Sequence, residues 1–208
     1  MFAHLEELRE KYGNVRCHGL LGVEKTPVNA AEKFAEDYLR KHTLRPERFS
    51  KQEMRARKTP DFRVFRDTEL AAYCEAKHIR RDDWAGGLRA DPIFNRISNH
   101  IHEAVQQFNA VNPDRAYPNI LVFANSDSMC DARDLDSVVT GLFRVKGGTD
   151  EAIYAQFSEG RIKEEKCQID LYIWWDTWKS SDRFSRYFLK ESVYKDRLQE
   201  LLPRTRKP

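Results

Sequence analysis

The sequence predicts one α/β domain: a mixed β-sheet flanked by helices, with a strand-and-helix extension at its C-terminal end. Three observations predict it. Two segments, 119–125 (NILVFAN) and 168–178 (QIDLYIWWDTW), carry runs of large apolar residues, the pattern of strands covered on both faces. Segments with apolar side chains at helical spacing alternate with those strands. The 208 residues contain no internal repeat, no low-complexity stretch and nothing that reads as a linker between domains.

The elements follow in order. The opening MFAHLEELREKYG is a short, charged amphipathic helix without the apolar centre of a signal peptide, so a cytoplasmic location is expected. Residues 28–41 place Val28, Ala31, Phe34, Ala35, Tyr38 and Leu39 on one helical face, with Asn29 available as a cap. The polar, basic stretch 42–58 reads as irregular chain or a weak strand. Residues 59–79 (TPDFRVFRDTELAAYCEAKHI) read as a hairpin. A loop with a glycine pair leads to a long helix over 93–111, whose stripe is Ile93, Phe94, Ile97, Ile101, Ala104, Val105 and Phe108. NPDRAYP stops that helix and NILVFAN is the next strand. DARDLDSVVTGLF predicts a further helix and GGT a break. The core so defined covers about 28–145, and the extension about 146–208. In the extension, QIDLYIWWDTW is a strand with Ile169, Leu171, Ile173 and Trp175 on one face and Tyr172 and Trp174 on the other. SRYFLK is a short strand or the lead into a helix, SVYKDRLQELL closes the fold as a helix, and PRTRKP is a basic tail.

Composition excludes several classes. With 36 Lys and Arg against 33 Asp and Glu, the net charge is only +3, so any polyanion site must come from local clustering. The four cysteines, at 17, 74, 130 and 167, have neither CxxC nor zinc-finger spacing and read as reduced thiols. No apolar run is long enough to cross a membrane. Phosphate-binding P-loops, dinucleotide fingerprints, HExxH and GxSxG motifs are absent.

The hairpin carries the chemistry. Glu75 and Lys77 lie two apart on a strand, so they share a face with Ala71 and Tyr73, while Leu70, Ala72, Cys74 and Ala76 form the other. On the preceding strand Phe62 and Val64 join the apolar face, and Asp61, Arg63 and Phe65 point away from it. A three-residue loop, Asp67-Thr68-Glu69, pairs Arg66 with Leu70 and brings Asp61 opposite Glu75, with Cβ atoms about 5 Å apart. A two-residue turn instead puts Asp61 opposite Cys74 and separates the acids. Two carboxylates that close repel unless one takes a proton or a cation sits between them. With an ammonium alongside, they suit a hard divalent cation and an anionic substrate.

"PDF" at Pro60–Phe62, followed thirteen residues later by "EAK" at Glu75–Lys77, resembles the PD-(D/E)XK nuclease superfamily, also called restriction-endonuclease-like. The resemblance runs from the first long helix through YPNILVFAN, a little under half the chain. It implies a restriction-endonuclease-like mixed sheet, dependence on Mg²⁺ (or Mn²⁺), and phosphodiester hydrolysis in nucleic acid, DNA before RNA. It implies metal binding by Asp61 and Glu75, with Lys77 at the attacking water. Many members add a glutamate from the helix before the hairpin, for which Glu32 fits best, and some add a polar residue from the helix after it, for which His100 and Gln107 stand at the edges of the stripe. A homodimer is a further possibility by analogy. The alternative is a non-catalytic nucleic-acid- or protein-binding module that keeps the nuclease-like core.

Basic residues cluster around the motif: Arg40, Lys41, Arg45, Arg48, Lys51, Arg55, Arg57, Lys58, Arg63 and Arg66, then Arg80 and Arg81. Such a cluster is what a polyphosphate ligand needs. The aromatic run YIWWDTW is explained by a core strand, which leaves Trp84 as the freer aromatic.

Overall fold

The computed structural model describes residues 30–81, 93–144, 150–152, 162–179 and 184–203. The N-terminal amphipathic helix, Val28, Asn29, Cys17, Trp84, the glycine-pair loop, the GGT break and the C-terminal basic tail lie outside the described residues.

In chain order the elements are α1 (Ala30–Lys41), β1 (Arg45–Arg48), α2 (Lys51–Ala56), β2 (Phe62–Arg66), β3 (Glu69–Ile79), α3 (Ile93–Val111), β4 (Asn119–Asn125), α4 (Ala132–Thr140), β5 (Leu142–Arg144), β6 (Asp150–Ala152), β7 (Leu171–Asp176), β8 (Phe184–Phe188) and α5 (Lys195–Leu201). A single 3₁₀ turn, Lys166–Gln168, precedes β7. Six strands form one mixed sheet in the order β1-β2-β3-β4-β7-β8, and β5 and β6 pair separately. β3, β4 and β7 run parallel, flanked by antiparallel partners β2 and β8. Parallel neighbours need a crossover connection, and α3 supplies the one between β3 and β4.

The strand alternation explains both layers. β4 sends Leu121 and Phe123 to one face, where Ile97, Ile101 and Phe108 of α3 and Leu135 and Val138 of α4 cover them. Ile120 and Val122 go to the other face, against Ala35 and Leu39 of α1 and Leu198 and Leu201 of α5. Every residue of β4 is buried, as the unbroken apolar run predicts. α4 begins in a capping box between Asp131 and Asp134 and ends at Gly141, whose φ of 74° is the left-handed turn that glycine allows.

The structure corrects four expectations. The weak strand after α1 is present as β1 at the sheet edge, but the rest of that stretch is not irregular: it holds α2, which Ser50 and Glu53 close with a reciprocal capping box. The hairpin turn is two residues long, Asp67-Thr68, so Arg66 pairs with Glu69 rather than Leu70. A bulge between Val64 and Phe65 then shifts the ladder by one, giving Phe62–Cys74 and restoring the register that carries Asp61 to Glu75. The same bulge exchanges two side chains between faces. Ala71 packs with Ala72 and Cys74, whereas Leu70 packs on the side of Tyr73. Finally, Ile169 sits in the cluster of Tyr172 and Trp174, because it ends the 3₁₀ turn and precedes the alternating part of β7.

Candidate active site

Asp61 stands at the bend just before β2, and Glu75 lies in the middle of β3. Their side chains take over where the ladder ends. The Asp61 amide donates to Glu75 Oε2 at 2.9 Å, and the Ala76 amide donates to Asp61 Oδ2 at 2.8 Å. Glu75 is only 3% exposed. Burial, then the charge of Asp61, pushes its pKa up to about 8. Burial likewise raises that of Asp61, with the charge of Glu32 adding to it. The hairpin therefore brings the two acids together, and burial with their mutual repulsion favours a proton on Glu75 when no cation lies between them.

Lys77 completes the cluster. Its Nζ lies 3.0 Å from Glu75 Oε1, 3.1 Å from Glu103 Oε2 and 3.1 Å from Gln107 Oε1. The ammonium donates hydrogen bonds to Glu103 and Gln107 and forms an ion pair with Glu75. Burial opposes the charge, but Glu75 and Glu103 outweigh it, so the pKa of Lys77 is raised. Gln107 is fixed in turn, since its Nε2 donates to the Thr59 carbonyl at 2.9 Å.

The other sequence candidates take distinct places. Glu32 accepts an ion pair from Arg48, whose guanidinium lies over the Phe62 ring beside Asp61. His100 sits behind Glu103, with Nδ1 3.8 Å from Glu103 Oε2. Burial, then the charge of Lys77, lowers its pKa, so it is neutral near pH 7. Its Nδ1 has no hydrogen-bond partner among the described residues. Glu103 itself was not among the candidates read from the sequence. The signal was there: His100, Glu103 and Gln107 follow the i, i+3, i+7 spacing of one helix face.

The donor set suits a hard cation. It is all oxygen, and a buried acid beside a half-buried one, both with pKa values shifted upward, are relieved by positive charge. Among the described residues, no three His, Cys, Asp or Glu side chains converge as a ready-made metal cage. Any ion held by Asp61 and Glu75 would take its remaining ligands from water or substrate oxygens, as Mg²⁺ commonly does.

Solvent reaches the cluster through an open groove of about 450 Å³ lined by Met54, Arg57, Lys58, Thr59, Lys77, Glu103 and Gln107. The basic cluster is partly neutralised: Arg40, Arg45, Arg48 and Arg63 pair with Glu36, Glu47, Glu32 and Glu53. Among the described residues Arg57 and Lys58 make no ion pair with an acid, although each donates one hydrogen bond to α3. Trp174 is buried core, its indole donating to Asp176, as the strand pattern predicts. No helix among the described residues is long and apolar enough to cross a membrane. No protein family, curated protein or solved structure matches the chain.

Proposed function

We propose that this protein is a metal-dependent phosphodiester hydrolase acting on nucleic acid, DNA before RNA, built on a restriction-endonuclease-like core. The observation that carries the reading is the pair of amide-to-carboxyl hydrogen bonds that tie Asp61 and Glu75 together across the β2–β3 hairpin, with the Lys77 ammonium 3.0 Å from Glu75. Supporting it is the connection of that hairpin through α3 to the parallel strand β4.

Asp61 and Glu75 would hold Mg²⁺ or Mn²⁺. When bound, the ion supplies Lewis-acid polarisation of a phosphoryl oxygen and a water of lowered pKa. Lys77, with its raised pKa, serves as a fixed positive charge and hydrogen-bond donor rather than as a base. It orients the attacking water or stabilises negative charge developing on phosphate oxygen. Gln107 sets the direction of that ammonium, and α3 screens the buried side of the cluster from solvent. Glu32, beside Asp61, adds negative charge that favours cation binding.

The test is Lys77→Ala on plasmid and single-stranded DNA with Mg²⁺. Cleavage is expected to fall by about a hundredfold or more, with the circular dichroism spectrum unchanged. Cleavage at the parental rate would overturn the assignment.

One observation favours the alternative of a non-catalytic binding module: Lys77 is already engaged by Glu75, Glu103 and Gln107 without any ion. Calorimetry with Mn²⁺ separates the two. A hydrolase binds the ion and loses it on Asp61→Ala, whereas a binding module shows no heat dependent on Asp61.

A further inference from the structure

α2 is an unusual element to preserve. Its six residues, Lys51–Ala56, bury no side chain in the core. It is nevertheless held firmly. Ser50 and Glu53 cap it reciprocally, Glu53 takes an ion pair from Arg63 of β2, and Arg63 lies 4.0 Å above the Phe49 ring. A helix that gives nothing to the core, yet is locked by polar contacts, is placed for what it presents outward.

What it presents is one wall of the groove that opens on Lys77. Met54 stands at that wall, 53% exposed. The chain leaving α2 adds Arg57 and Lys58. Arg57 Nη1 donates to the Ala110 carbonyl at 3.0 Å, and Lys58 Nζ to Gln106 Oε1 at 2.7 Å. With Gln107 bonded to Thr59, three successive residues of this wall are stitched to α3, so the groove has a fixed width. One hydrogen bond uses only part of the donor capacity of an arginine or a lysine, and both cations line the cavity.

An exposed thioether has nothing to offer a phosphate. Soft and polarisable, it packs well against flat π-faces, and only an unstacked base presents its face sideways. The two neighbouring cations match the backbone of the same strand. At about 450 Å³ the groove has the capacity of a small-ligand site, suited to a nucleotide or two of single strand.

We propose that the groove between α2 and α3 is a single-strand channel, in which Met54 packs against a base while Arg57 and Lys58 hold the adjoining phosphates and lead the strand to Lys77. This rests on the hydrolase reading and narrows it to single-stranded, frayed or unwound nucleic acid.

The test is fluorescence anisotropy on the full chain in EDTA, which prevents cleavage, with a labelled oligothymidylate and a duplex of equal length. The strand is expected to bind about tenfold tighter than the duplex. Met54→Ala, which removes an exposed side chain and inserts a better helix former, should weaken the strand about fivefold and leave the duplex unchanged. Lys58→Ala should weaken the strand and flatten the slope of log K against log salt by about 0.7. Equal affinity for strand and duplex, or no effect of Met54→Ala on the strand, would overturn the channel and leave the hydrolase reading to the Lys77→Ala cleavage test. Failure of the parent protein to bind either probe would count against both.

Discussion

Asp61 and Glu75 are tied together by two hydrogen bonds: the Asp61 amide donates to the Glu75 carboxyl group, and the Ala76 amide next to Glu75 donates to that of Asp61. Geometry of this kind is costly without a cation between the acids. Glu75 carries a pKa raised to about 8 by burial and by Asp61, against roughly 4.3 in an unfolded chain. Between those values the folded protein holds a proton that the unfolded chain releases. Stability must therefore fall as pH rises from about 4.3 to about 8, and the raised pKa of Asp61 acts in the same direction. Thermal melts in EDTA across this range should show a falling Tm, by about 2–4 °C for each kcal/mol lost. Saturating Mn²⁺ should flatten the curve. A metal-free Tm that rises steadily over the window would contradict a raised Glu75.

Metal binding should also release protons. At pH 7 an ion entering between Asp61 and Glu75 displaces the proton that Glu75 holds. Titrations of Mn²⁺ in buffers of different ionisation enthalpy should give a release of close to one proton at pH 7, vanishing well above pH 8. Heats independent of the buffer would mean that the ion binds elsewhere or that Glu75 is already ionised.

Glu103 occupies one donor of Lys77, on the solvent side of the cluster, with a side chain 60% exposed. An incoming phosphate oxygen competes with that carboxylate for the same ammonium. Glu103→Gln keeps an acceptor and removes the charge, so KM for nucleic acid should fall by about two- to fivefold, the scale of an exposed ion pair, with little change in Tm. A rise in KM, with kcat reduced, would instead show that Glu103 positions Lys77 for the reaction.

Much of this was legible in the sequence. The long amphipathic pattern over α3 and the unbroken run of β4 could hardly be anything else, because each signals its own burial. α2 was missed for the opposite reason. It buries nothing, so it leaves no apolar periodicity, although the Ser50–Glu53 spacing of a capping box was visible. The hairpin shows a subtler limit. A two-residue turn alone would have separated the acids, and only the bulge between Val64 and Phe65 restores their register. Two departures that cancel leave the right pairing for the wrong reason. Glu103 was passed over because a charged residue on a helix edge is usually solvated, and only the position of β3 brings Lys77 to it.

A last prediction concerns stability apart from the proposed chemistry. Asp170 is fully buried at the start of β7. Its carboxylate accepts from Arg115 at 2.8 Å, from the Ser192 hydroxyl at 2.6 Å and from the Asn119 amide at 2.8 Å. It thereby ties the turn after α3, the head of β4 and the segment before α5 to one point. Asp170→Ala leaves the Arg115 guanidinium, itself only 30% exposed at the side chain, without its acid, and leaves the Asn119 amide without an acceptor. Breaking a buried pair in this way costs about 3–5 kcal/mol, which for a chain of this size lowers Tm by roughly 6–20 °C. Asp170→Asn, which keeps an acceptor oxygen, should cost distinctly less. Because Asp170 makes no contact with Asp61, Glu75 or Lys77 among its described bonds, cleavage below the lowered Tm should keep its KM. An Asp170→Ala protein melting with the parent would show that the three partners rearrange to satisfy one another without it.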